Sequence, residues 1–112
     1  MSMTQGQENR VQLCLWGAFL LKLPARKLPS LHVVGINQRT GRSRVSSTIT
    51  RVNTSRSCVV TETGRIYDLL GEPCRADLAA AVLLRLAADW NATLLADATS
   101  WLFGTTDTDI AH

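Results

Sequence analysis

The first seventy positions show the apolar patterns of β-strands. From position 11 apolar residues recur at alternate places and then run on to position 21 (VQLCLWGAFLL). This pattern favours a half-buried strand that becomes fully buried. A helix, or the apolar region of a secretory signal peptide, fits the same letters. Glu8 stands where a signal peptide carries positive charge, and Gln12 and Lys22 interrupt the apolar run. We therefore prefer the strand.

Two further strands are predicted before the middle of the chain. LHVVGI (31–36) is short and apolar, and VSSTITRV (45–52) is rich in the β-branched residues that strands favour. Between them lies NQRTGRSR (37–44), whose glycine and polar residues indicate a loop. Pro24 and Pro29 bracket an irregular connector before the second strand.

The stretch VVTETGRIYDLLGEP (59–73) predicts a β-hairpin that ends at a glycine and a proline. A two-residue loop at Thr63 and Gly64 is the simplest connection. Such a loop would put two apolar pairs on the core face and one charged pair at the tip. These pairs are Val60–Tyr67, Cys58–Leu69 and Glu62–Arg65.

The hydrophobic period changes to that of a helix after position 75. Apolar residues recur about every four positions and predict an amphipathic helix over 75–103, continuous or broken near Asn91. The stripe comprises Leu78, Val82, Leu86, Trp90, Leu94, Leu95, Ala98, Trp101 and Leu102. Trp16, Trp90 and Trp101 all lie in apolar runs, which predicts that they fill the core.

These elements predict an α+β fold in which an antiparallel sheet of about five strands is followed by one or two C-terminal helices. The length of 112 residues favours one domain. We expect that domain to span 10–104, with flexible tails over 1–9 and 105–112.

Charge is distributed unevenly along the chain, although the net charge is only +3. Positions 10–65 carry ten arginines and lysines but one acid, whereas positions 66–112 carry seven acids and two arginines. The two halves either neutralise each other in the fold or leave a basic surface for a partner. The candidate partner-binding residues are Arg39, Arg42, Arg44, Arg51 and Arg56.

No catalytic motif is recognisable, and we expect a protein without enzymatic activity, cofactor or metal. Cys74 is the best nucleophile candidate, because a helix start and Arg75 would lower the pKa of its thiol. His32 lies in an apolar strand, where a packing role is commoner than a catalytic one. The three cysteines form no spacing typical of a zinc site or a disulfide framework, which favours a cytoplasmic location.

At SRVSSTI (43–49) and VVTETGRIYDLLGEP (59–73) the chain resembles small uncharacterised proteins of bacterial phages, plasmids and integrative elements. The shared pattern is a basic residue, a Val/Ile–Ser/Thr run, a strand, a glycine turn and Tyr-x-Leu-x-Gly-x-Pro before a helix. The apolar segment near the N-terminus and the long Ala/Leu helix depart from it. No catalytic residue can be transferred from the resemblance.

The resemblance implies a function by analogy with motif-poor proteins of mobile elements. Such proteins are often inhibitors of host defence, anti-CRISPR proteins among them, and cover a surface of a nuclease complex. We therefore expect a protein-binding inhibitor or adaptor whose partner is a host protein complex such as a CRISPR effector. The alternative is a small nucleic-acid-binding or regulatory protein that uses the same arginines, although no aromatic residue between Phe19 and Tyr67 is available for base stacking.

Overall fold

The computed structural model describes residues 9–74, 76–86, 88–104 and 108–109, and it has an α+β fold built on one mixed sheet. The predicted tails over 1–9 and 105–112 lie mostly outside the described residues. The strands are β1 (Arg10–Lys22), β2 (Ser30–Asn37), β3 (Ser43–Val45), β4 (Ile49–Asn53), β5 (Cys58–Thr61), β6 (Ile66–Leu70), β7 (Thr93–Asp97) and β8 (Thr108–Asp109). The helices are α1 (Ala76–Leu86), a 3-10 turn (Ala88–Trp90) and α2 (Thr99–Gly104).

The sheet is strongly curled. Its strand order is β3-β2-β1-β6-β5-β4-β8, and β7 pairs with β1 outside that path. Strands β3 and β4 lie far apart in this order, yet only residues 46–48 separate them in the chain. Ser46 joins this connection to β2, because its N–H donates to the Val33 carbonyl (2.8 Å) and its Oγ accepts from the Val33 N–H (3.0 Å). The sheet therefore encloses an inner core.

The predicted α+β class is confirmed and the sheet is mostly antiparallel, as predicted, but it differs from the predicted sheet of about five antiparallel strands in two respects. Strands β1 and β6 pair in parallel, from Arg10 opposite Ile66 to Cys14 opposite Leu70. The sheet also has more strands than predicted. One reason is that the predicted strand over 45–52 divides at 46–48, where the chain leaves β2 and passes to β5.

The predicted hairpin is present, but its register is shifted by one residue. The loop contains three residues instead of two, because the Thr61 N–H donates to the Arg65 carbonyl (2.9 Å). Gly64 has a φ of 86°, the left-handed conformation that ends a three-residue hairpin loop. Val59 therefore lies opposite Tyr67, and Cys58 lies opposite Asp68. Val59 is consequently a fully buried core residue.

The predicted C-terminal helix is interrupted by a strand. Asn91 has a φ of 53° directly after the 3-10 turn, a conformation that asparagine tolerates better than most residues. The next two residues of the predicted stripe, Leu94 and Leu95, belong to β7, which pairs with β1 from Phe19 opposite Asp97 to Lys22 opposite Thr93. Trp101 and Leu102 lie in α2. Trp101 was predicted to fill the core, but its side chain is 49% exposed. No helix in the described ranges is long and apolar enough to span a membrane.

A second core lies on the outer face of the sheet, under α1. Ala79 and Leu83 of α1 pack against Phe19, Leu21 and Val34 of β1 and β2. The helix approaches β1 closely, since a Cβ added to Gly17 would lie 3.0 Å from the Ala79 Cβ. This helix covers the second half of β1, whereas in the described part of the chain Arg10 and Gln12 of the first half are exposed.

Candidate functional site: an arginine-lined cleft

A cleft of about 350 Å³ lies where β1 and β6 begin and β2 ends. Its lining comes from β1, the end of β2, the following turn, β3 and the residue before β6. Four of the described residues in this lining are arginines, so the cleft is positively charged. The lining residues are Arg10, Val11, Gln12, Asn37, Arg39, Arg44 and Arg65.

The parallel pairing of β1 with β6 brings two of these arginines together. Arg10 opens β1 and lies opposite Ile66, the first residue of β6. The Ile66 N–H donates to the Asn9 carbonyl at 2.7 Å, which holds the two strand starts side by side. Arg65 precedes Ile66 directly and therefore reaches the same cleft as Arg10.

Two arginines of the cleft are held by neighbouring side chains. The Arg10 guanidinium donates from Nε and Nη2 to the two Asp68 carboxylate oxygens, at 2.8 and 3.0 Å. The hydrogen bond to Asp68 raises the pKa of Arg10 above its usual value. Arg44 donates from Nε to the Tyr67 hydroxyl (3.2 Å), and its guanidinium carbon lies 5.8 Å from the centre of the Tyr67 ring. These contacts orient both side chains before any ligand arrives.

The side chains of Arg39 and Arg65 make no ion pair or hydrogen bond within the described part of the chain. The backbone of Arg39 is nevertheless ordered, because its N–H donates to the Asn37 Oδ1 at 2.9 Å. The Gly41 N–H closes the same turn on the Asn37 carbonyl at 2.7 Å. The cleft thus combines two oriented guanidinium groups with two that have hydrogen-bond donors to offer a ligand.

The structure brings together only part of the predicted arginine set. Arg39 and Arg44 line the cleft, whereas Arg42 is exposed in the same turn without lining it. Arg51 lies on β4 opposite Val60, and Arg56 lies in the turn before β5, so neither lines the cleft.

The predicted arginine set does not include Arg10 and Arg65, which lie 55 positions apart in the chain. No local pattern connects them, because the parallel pairing of β1 and β6 is a long-range contact. A signal was nevertheless present, since each arginine directly precedes an apolar strand pattern.

The cleft is suited to binding anions and has no obvious catalytic group. Guanidinium and amide donors recognise carboxylate and phosphate oxygens. The lining contains no nucleophile, acid or histidine, and no aromatic side chain to stack on a base, as far as the described residues extend. Across the same residues, no three His, Cys, Asp or Glu side chains gather as a metal site would require.

The two other candidate residues lie outside the cleft. Cys74 is half-buried against the outer core, two residues before α1 begins, and its N–H donates to the Trp16 carbonyl at 2.8 Å. His32 is almost fully buried on β2.

His32 is held by hydrogen bonds at both ring nitrogens. Nδ1 lies 2.9 Å from the Ser46 carbonyl and Nε2 lies 2.7 Å from the Ser30 Oγ. A carbonyl only accepts, so Nδ1 donates, and a neutral ring then accepts the Ser30 hydroxyl proton at Nε2. Burial lowers the pKa of His32 below its ordinary value. These contacts fit the packing role expected for this residue.

No protein-family model, curated protein or solved structure matches this chain.

Proposed function

We propose that the protein is a non-enzymatic binding protein that holds an acidic partner protein in the arginine-lined cleft. The observation that supports this most directly is the convergence of four arginines from separate segments of the chain in one preformed cleft. Arg10 and Arg44 are oriented by Asp68 and Tyr67, so binding a carboxylate there costs little ordering of these side chains.

The biological role that we propose is that of an inhibitor or adaptor from a mobile genetic element, acting on a host defence nuclease complex in the cytoplasm. This part rests on the resemblance at 43–49 and 59–73 and on the charge pattern. The basic cleft would cover an acidic surface of such a complex, of which a CRISPR effector is one example. The anti-CRISPR role is thus the most specific form of the proposal.

The second candidate function is binding to nucleic acid through the same arginines. The feature that favours it is the positive cleft itself, because phosphates and carboxylates are recognised by the same guanidinium geometry. The described residues of the cleft lining include no aromatic side chain, which favours a protein partner instead.

The test is capture of partners from a bacterial host lysate with and without nuclease, using the tagged full chain. We expect one stoichiometric protein complex that survives nuclease treatment. Partners that disappear with nuclease, together with affinity that falls steeply with salt, would favour the second function. Absence of both would contradict the proposal.

A pair of double charge reversals assigns the site. Arg44→Glu with Arg65→Glu changes the cleft, whereas Lys27→Glu with Arg85→Glu makes the same charge change at exposed positions outside the cleft and outside the predicted arginine set. We expect the cleft variant to lose capture by about a hundredfold, since charge pairs at interface centres are worth several kcal/mol. Equal losses in both variants would show that only net charge matters.

A further inference from the structure

A strained, exposed leucine lies beside the arginine cleft. Leu15 is in β1 at the irregularity between Cys14 and Gly17, where the register with β2 shifts. It has a φ of 51°, the left-handed region that bulky residues rarely adopt. Its side chain is 59% exposed. Both the backbone conformation and the contact with water are therefore unfavourable for leucine.

The bulge itself has a structural purpose, but the leucine side chain does not share it. The irregularity turns Trp16 into the inner core, where its indole N–H donates to the Gly71 carbonyl at 3.2 Å. Any residue that tolerates a positive φ would allow this turn, and glycine or asparagine would do so with less strain. A polar residue would also be better hydrated. Folding alone does not account for leucine at this position.

Leu15 lies three residues along β1 from Gln12, an exposed residue of the cleft lining. Val11, Leu13 and Trp16 are buried, whereas Gln12 and Leu15 are exposed. Gln12 lines the cleft, and three residues of strand span at most about 10 Å. An exposed apolar side chain therefore lies close enough to the cleft for one short peptide segment to contact both.

We propose that Leu15 is the apolar anchor of the partner surface, so that the cleft and Leu15 together recognise an acidic protein segment carrying a large apolar side chain. This inference rests on the proposed function and specifies the chemistry of the partner. An exposed leucine would contribute no favourable binding free energy in contact with a phosphate backbone. A buried apolar contact beside charged groups is instead typical of protein interfaces. The positive cleft supplies the charge complementarity that selects acidic residues.

The test is selection of a random phage-displayed peptide library on the full chain and on matched variants. Leu15→Asn removes the anchor and relieves the backbone strain. Leu28→Asn removes an equally exposed leucine from the connector before β2, and Arg44→Glu with Arg65→Glu reverses the cleft. For wild type and Leu28→Asn we expect peptides that combine Asp or Glu with a nearby Leu, Phe, Trp or Met.

The variants separate the two parts of the recognition. Leu15→Asn should lose the apolar preference and bind the selected peptides about tenfold or more weakly, with a melting temperature equal to or above that of wild type. The cleft variant should lose the acidic preference. Acidic peptides selected equally by wild type and Leu15→Asn would overturn this inference and leave the proposed function standing. Failure to enrich acidic peptides at all would count against both.

Discussion

The two halves of β1 belong to the same strand but have opposite environments. Before the bulge, Val11 and Leu13 face the inner core while Arg10 and Gln12 face solvent and the cleft. After it, Trp16 and Ala18 face the inner core, and α1 covers Phe19 and Leu21 on the outer face. The uncovered half presents the candidate site, and the covered half joins the two cores.

This difference shows that the position of the candidate site depends on which part of β1 is covered by α1. Phe19 and Leu21 occupy outer-face positions equivalent to those of Arg10 and Gln12 in the first half. The apolar pair, Phe19 and Leu21, must be covered by a helix, whereas the polar pair, Arg10 and Gln12, must remain hydrated. Substitutions in the two halves should therefore affect different properties.

The largest effect on stability is expected in the covered half, at Leu83. This side chain is fully buried between α1 and the outer face of the sheet. Leu83→Ala should lower the free energy of unfolding by about 2–5 kcal/mol, through lost burial and a cavity. Denaturant unfolding measures this, and Leu84→Ala at an exposed position of the same helix is the control. Similar losses in both variants would show that α1 does not pack as described.

A smaller loss is expected when the close contact between β1 and α1 is overfilled. Gly17→Val places side-chain atoms where a Cβ alone is already 3.0 Å from both the Ala79 Cβ and the Phe19 ring. The expected cost is about 1–3 kcal/mol. The double variant Gly17→Val with Ala79→Gly should lose less stability than the sum of the losses in the two single variants, because removing the Ala79 Cβ makes room for the valine. Strict additivity would argue against this contact.

A modest, pH-dependent effect on stability is expected at His32, which lies on β2 opposite Phe19 in the covered half of β1. Burial lowers the pKa of His32 in the folded state, and the positive charge of Arg26 also lowers it, whereas the Ser46 carbonyl and Glu62 raise it. The unfolded chain therefore binds more protons below about pH 6.5, and stability falls as pH drops below that value. Melting temperatures from about pH 7 to about pH 5 measure the effect.

The control for this pH effect is His32→Phe, which removes the titrating group at the cost of an unpaired Ser46 carbonyl. This variant should be less stable throughout, but its stability should change less over the same pH range. A slope equal to that of wild type would mean that His32 is not the group responsible. Glu62 is not expected to produce this effect, since the hydrogen bond from Arg26 lowers the pKa of its carboxyl below the ordinary value.

The smallest effect on stability is expected in the open half, at the pair of Arg10 and Asp68. The Arg10 side chain is nearly half exposed, so Arg10→Gln should cost less than about 1 kcal/mol. Partner capture should nevertheless weaken, because Arg10 lines the cleft. A large loss of stability with unchanged capture would reverse the distinction drawn between the two halves of β1.

Local patterns were sufficient for some elements and insufficient for others. The apolar run after Arg10 correctly indicated a strand, and the stretch around Gly64 correctly indicated a hairpin. The hairpin register was wrong by one residue, since the letters TETG accommodate a loop of two or three residues. The helical period beyond Asn91 was misleading, because TLLAD is equally able to form a strand when β1 offers an open edge.

The sequence by itself determined the strand-forming first part, the helix at 76–86, the hairpin turn and the basic character of the first half of the chain. These features follow from side-chain periodicity, turn residues and charge, all of which act over a few neighbouring positions. Only the tertiary structure decided that β1 and β6 pair in parallel and that Arg10 and Arg65 meet Arg39 and Arg44 in one cleft. Only the bulge turned Trp16 inward and Leu15 outward. The physical reason is that strand partners and buried faces are selected by the packing of the whole chain, which no short segment encodes.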